Sequence, residues 1–189
     1  MATANGDDTL RIIIRAPATT PSTTFIAPSI QFMSGTWHVT HSTLPMWSKN
    51  RNVRITYAAL PMSNADSTIP KLNDLVEYQS LTSNKLKTVE GVDTPASNGA
   101  WDWRGKGWLM IASSHWEVLG YGEYRDEAWM VTYFAKTLFT PAGLDIYSRR
   151  KEGLSNELLA SVMDAVAKVD DEGVKMLSNE IFAVKSDFQ

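Results

Sequence analysis

The chain has 189 residues, 43% hydrophobic and 21% charged, with a formal net charge of −3. That length suits one large single-core domain, and the composition excludes wholesale disorder. The negative balance, with no basic run longer than "SRRK" at 148–151, excludes a nucleic-acid partner, because phosphate binding needs a local basic excess.

The first 30 residues are rich in Thr, Ser, Ala and Pro and read as an arm laid on a body, with one short candidate strand at 10–15. Acidic residues precede the only apolar run, "RIII", which is far too short for a signal peptide. The chain has no cysteine, which removes disulfides, thiolate nucleophiles and Cys-based metal sites, and no apolar stretch approaches the roughly 20 residues of a membrane span. These features together lead us to expect a soluble, cytoplasmic protein.

From residue 35 to 148 the pattern is β. Candidate strands lie at 37–43, 51–60, 75–81, 85–92, 100–104, 107–112, 115–121, 128–138 and 143–148, separated by turn clusters such as "SNADST", "TPASNG", "YRDE" and "TPAG". The connections are too short for parallel crossovers, so the strands are antiparallel neighbours. The period then changes. Across 154–169, Leu158, Leu159, Val162, Met163, Val166 and Val169 share one face, and Ser155 is a good N-cap, so one amphipathic helix follows. A tail follows, with the short apolar run "EIFAV". The expected organisation is an arm (1–30), a body (31–170) and a tail (171–189). Eight or nine antiparallel strands must hide two sheet edges, and closure into a barrel does so; a two-sheet sandwich is the competing all-β solution.

Two segments resemble the lipocalin family. "SGTWHV" is similar to its first-strand Gly-x-Trp motif, here Gly35 and Trp37, and "LDIYSRRKEGLSNELL" is similar to its last strand, the arginine after it, and the following helix. The resemblance covers about 34–169. It departs at the Asp-Tyr signature, only loosely echoed by "GYGEYRDEAW", which suggests an outlying member. It implies an eight- to nine-stranded barrel with the C-terminal helix packed outside. It also implies that Arg149 lies across Trp37 as a plug at the closed end, a guanidinium flat on an indole. The Trp-rich inserts are similar to those of fungal lipocalin-like proteins, including cofactor-free cyclases.

If Trp37 points inward, Val39 and His41 share its face. Pairing the first strand with the last, with Trp37 near Arg149, sets His41 opposite Asp145: an imidazole beside a carboxylate, suited to general-base work, unless a bulge shifts the register by one. Seven tryptophans are many for this length. Trp47 is expected on the first loop over the mouth, and Trp101 and Trp103 on one strand face. Trp116 and Trp129 flank the "YRDE" hairpin and are candidate cross-strand neighbours. Together with Tyr147 these can wall a pocket for a flat apolar molecule, or simply fill a core. His115 and Glu117 share a face: inward, they would add a second acid–base pair and His115 would join the ligand-binding wall, while the apolar character of Trp116 and Val118 favours the outward placement of His115. Tyr133 and Lys136 lie on opposite faces of one strand, and Tyr133 is a candidate proton donor.

No pair of histidines has metal-ligand spacing, and there is no phosphate loop or nucleophile elbow, so neither metal nor cofactor is expected. The expected partner is a small hydrophobic molecule of polyketide or terpene type. It is either isomerised or cyclised without a cofactor, with His41, Asp145 and Tyr133 as catalytic candidates, or carried unchanged. The sequence leaves the oligomeric state open.

Overall fold

The structure, a computed structural model, describes residues 11–17, 25–62, 69–138 and 140–187, with only the backbone of Trp108. Most of the expected arm, including Leu10 of the candidate strand at 10–15, lies outside the described residues, as do residues 188 and 189 of the tail.

Eight antiparallel strands close into a barrel: β1 Gly35–Ser42, β2 Asn50–Ala59, β3 Leu72–Ser80, β4 Leu86–Pro95, β5 Ala100–Gly105, β6 Ser113–Tyr124, β7 Glu127–Phe134 and β8 Gly143–Ser148. Each pairs with the next, β8 pairs with β1, and β1 pairs with β2 over residues 35–38. The sandwich alternative is thereby excluded. The expected strand at 107–112 is instead a 3-10 turn, Gly107–Leu109, inside the β5–β6 connection.

Strand alternation divides the molecule into two apolar layers. Trp37, Val39, Val53, Ile55, Tyr57, Leu72, Trp101, Trp116, Val118, Met130 and Tyr147 fill the barrel. The opposite parity of β6 to β8, Leu119, Trp129, Val131, Leu144 and Ile146, faces outward beneath a helix. That helix spans Asn156–Ala167, with Ser155 capping the Leu158 N–H and Leu158, Val162 and Val166 buried at i, i+4 and i+8. Buried Glu127 fixes its start by accepting from the Ser155 N–H at 2.6 Å.

The helix is joined by other helical pieces. A short one, Ile30–Met33, lies under the barrel before β1, and Glu172–Ser178 packs Val174 into the outer layer. The segment after residue 170 is therefore part of the fold. Its last strand, β9 Phe182–Ala183, pairs with β1 at His41 and Ser42, above the point where β1 leaves β2. Val184 N–H donates to Thr40 O and Asn52 N–H to Lys185 O, so this segment fills the seam between the diverging strands.

The N-terminal segment 11–17 runs outside β6 rather than forming a strand. Arg15 N–H donates to Leu119 O, and the Arg15 guanidinium pairs with Glu117 at 2.8 Å. Gly120 permits this approach: a Cβ there would sit 2.4 Å from Ile14 Cδ1.

At the closed end Arg149 Cζ lies 3.7 Å from the Trp37 ring centroid, and its nitrogens donate to Thr36 O (2.9 Å), Ser34 O (2.7 Å) and Phe32 O. Trp37 Nε1 donates to Met33 O at 2.9 Å. Gly35, at φ +94°, passes so close that a Cβ would lie 3.2 Å from Arg149 Nη1, so this position favours glycine on two counts. Partial burial pushes the Arg149 guanidinium down to about 10, which leaves it charged at neutral pH.

Candidate functional site

The barrel interior is not an oil drop. Among the aromatic residues stand three buried aspartates: Asp74 on β3, Asp93 on β4 and Asp145 on β8. The register explains their company. Asp145 has Ser42 of β1 on one side and Thr132 of β7 on the other. Asp74 faces Tyr57 of β2. Asp93 lies between Leu72 and Trp103 and is a diagonal neighbour of Asp74 across β3 and β4. All of these side chains have the inward parity.

Around Asp145, Ser42 Oγ donates to Oδ1 at 2.5 Å and itself accepts from Leu44 N–H at 2.8 Å. Oδ2 has no hydrogen-bond partner. The Trp47 indole N–H faces this carboxyl without closing a hydrogen bond to it. The Tyr147 hydroxyl lies between Tyr57 and Thr132, and neither it nor the Thr132 hydroxyl completes a bond. Deeper in, Trp116 Nε1 donates to Asp93 Oδ1 at 2.8 Å, while Asp93 Oδ2, Asp74 Oδ1 and Trp101 Nε1 are unpartnered.

No basic side chain enters this set among the described residues, so desolvation governs its titration. Burial pushes Asp145 up to about 7, against the opposing pull of Ser42. Asp74 and Asp93 are also raised, by burial and, for Asp74, by the neighbouring Asp93 charge. Burial raises the hydroxyls of Tyr57 and Tyr147 well above the ordinary tyrosine value. At neutral pH the interior thus holds neutral tyrosines and carboxyls that carry protons more readily than free ones.

Several expected site residues do not reach this interior. His41 is turned outward by a bulge at Thr40: Val39 faces Tyr147, but His41 then faces Ile146, and Ser42 takes the place opposite Asp145. The expected His41–Asp145 pair is therefore not formed. His41 Nδ1 instead lies 3.2 Å from Thr40 Oγ1, and partial burial lowers its pKa. Tyr133 has the outward parity of β7 and packs against the outer layer, so it cannot serve an interior substrate. Trp129 is buried beneath the Asn156–Ala167 helix, not in the barrel, and faces Gly122 across β6–β7 rather than Trp116. His115 is outside too, bonded to Asp102 at 2.8 Å and 3.7 Å from Glu117.

The others lie inside. Trp101 and Trp116 stack at 6.1 Å between centroids, and Tyr57 stacks on Trp116 at 5.7 Å. Trp103 shares the Trp101 face and is partly buried against the interior. Trp47, on a 3-10 turn at Pro45–Lys49, is tucked into the open end against Tyr78 at 5.5 Å. Sequence reasoning missed Ser42, Tyr57, Asp74, Asp93 and Thr132. Parity held the signal for Asp74, which shares a face with Leu72, Val76 and Tyr78.

No family model matches the sequence, and no curated protein matches it. Solved structures do resemble the fold. Lobster apocrustacyanin A1 aligns with TM-score 0.56 at 13% identity, over 84% of this chain and 79% of that one. Siderocalin Ex-FABP aligns with TM-score 0.56 at 15% identity, over 84% of this chain and 96% of that one. The cockroach allergen Per a 4 aligns with TM-score 0.60 at 10% identity, over 89% and 94%. With the closed eight-stranded antiparallel barrel, these likenesses show a lipocalin-like, calycin fold.

Proposed function

We propose that this lipocalin-like barrel binds a small, largely apolar organic molecule bearing a carbonyl or hydroxyl group, and that Asp145 moves a proton on it in a cofactor-free isomerisation or cyclisation. The observation that carries this reading is Asp145 Oδ2, which closes no hydrogen bond, in a buried carboxyl faced by the Trp47 N–H and set opposite Thr132, whose hydroxyl lies against Tyr147. Buried polar atoms without partners cost about 1–3 kcal/mol each, and a polar group on a bound molecule would satisfy several at once. The aromatic surround supplies flat apolar contact. One structural neighbour, siderocalin Ex-FABP, functions through dual ligand specificities, which supports ligand recognition by a barrel of this kind.

A carboxyl titrating near 7 exists in both forms at neutral pH. Protonated, it donates to a carbonyl oxygen; ionised, it accepts a proton from an adjacent carbon. Trp47 fills the open end, so access requires its 3-10 turn to swing aside. Positioning a flexible substrate among rigid indoles contributes the remaining effect.

A carrier is the second reading, and one observation favours it: all three histidines lie on the outside, leaving the interior without an imidazole. Titrating the tryptophan fluorescence with polycyclic and polyketide-like ketones, and analysing each mixture for products, separates the two. A new isomer that disappears in Asp145→Asn supports the enzyme. Quenching with unchanged ketone supports the carrier. No quenching or turnover with any compound refutes ligand binding.

A further inference from the structure

The four connections at the open end are 43–49, 81–85, 106–112 and 135–142. Each contains one lysine (Lys49, Lys85, Lys106 and Lys136), and none contains an acidic residue, in a chain where acidic residues outnumber basic ones 21 to 18. Arg51, Lys87 and Arg104 stand within two residues of these connections, while the nearest acids along the strands, Glu77, Glu90, Asp102, Glu117 and Asp145, lie three to five residues away. Lys106 is matched by Glu90 at 2.7 Å and Arg51 by Asp187 at 2.6 Å, whereas Lys49, Lys85 and Lys136 form no ion pair among the described residues. The same connections, with the first residue of β4, expose large apolar side chains. Ile111 is 92% and Leu138 96% exposed, and Met46, Leu81, Leu86 and Met110 are exposed with them.

Six large apolar side chains exposed together at one end of the barrel are a concentration beyond the singly scattered ones that a protein surface ordinarily carries. They are spread over all four connections, each of which also carries a lysine, a distribution that suits a fluid, anionic surface into which several tips dip at once. We propose that the open end of the barrel docks on an anionic lipid membrane, with Met46, Leu81, Leu86, Met110, Ile111 and Leu138 entering the interface and the rim lysines contacting the headgroups. The inference stands apart from the ligand reading and requires no span; no described helix is long and apolar enough to cross a bilayer.

Co-sedimentation of the full chain with vesicles tests this. Partitioning is expected onto phosphatidylcholine vesicles containing phosphatidylserine, weakening as salt rises, with little onto phosphatidylcholine alone. Lys85→Ala and Lys136→Ala should each lower partitioning about fivefold, the effect of roughly 1 kcal/mol per surface cation. Ile111→Ser with Leu138→Ser, both on exposed positions where folding is not at stake, should lower it about tenfold or more. The proposal is overturned by no binding to the anionic vesicles, by equal binding to both kinds, or by indifference to the Ile111 and Leu138 changes. Capture of soluble polyglutamate without vesicle binding overturns it in favour of an acidic protein partner.

Discussion

Replacing Asp145 with asparagine should give a variant whose stability advantage over the native chain grows with pH. The carboxyl is fully buried, with its pKa raised from 3.8 to about 7. Across that window the folded protein holds a proton that the unfolded chain has released, so native stability falls as pH rises and the loss is complete above about 7. The whole rise corresponds to about 4 kcal/mol at ~1.4 kcal/mol per pH unit. Between about pH 5 and about pH 8 the native chain should lose roughly 2–3 kcal/mol through this group alone. Asparagine keeps the shape and can still accept the Ser42 hydroxyl bond, but it does not titrate. For a chain of this size the difference corresponds to about 5–10 °C in melting temperature. Thermal unfolding of both proteins at several pH values, followed by circular dichroism, measures it. A difference between the two that is constant with pH would refute the reasoning, because Asp145 would then titrate alike folded and unfolded.

Three further outcomes follow from the packing. Trp37→Ala should destabilise by about 3–5 kcal/mol in urea unfolding, as large core truncations do, because it also frees Arg149 from its indole; a loss below about 1 kcal/mol would show that the plug contributes little. Truncation after Ile181 removes buried Val184 and the partners of Thr40 O and Asn52 N–H, and should cost about 2–4 kcal/mol in the same assay. His41→Ala should leave ligand quenching and any turnover unchanged, since the imidazole lies outside the barrel; a large loss of either would mean that the bulge at Thr40 does not hold in solution.

The barrel was legible because its signals are local. Period-two runs, short turn clusters and the Gly35–Trp37 and Arg149 segments each depend on a few adjacent residues. The site was less legible because its chemistry depends on register. One extra residue at Thr40 reverses the parity of everything after it on β1, exchanging His41 for Ser42 beside Asp145. The two deeper acids were lost at strand ends. The expected strands at 75–81 and 85–92 begin one residue after Asp74 and stop one residue before Asp93, because Asp and Pro disfavour strands and read as turn signals. In the barrel both strands continue past those residues, Leu72–Ser80 and Leu86–Pro95, since cross-strand pairing outweighs the propensity of a single residue. The 107–112 segment failed the opposite way: its apolar content resembles a strand, but it holds a 3-10 turn from which Met110 and Ile111 stand exposed.

The interior acids give a way to separate architecture from function. A barrel selected only for stability would gain from replacing Asp74, Asp93 and Asp145 with neutral side chains of similar shape, because no described cation offsets their burial. Their cost is tolerable because stability is supplied elsewhere: by the Trp37–Arg149 plug, by the β9 seam, and by the outer layer of Leu158, Val162 and Val166 against β6–β8. Local violations of packing logic at a few positions, with consistent logic around them, are what a functional site looks like. An asparagine at any of the three should therefore raise stability near neutral pH, and at Asp145 it should also abolish turnover. If all three substitutions were neutral for binding and turnover and lowered stability, the acids would be structural, and the interior would have to be read as a core.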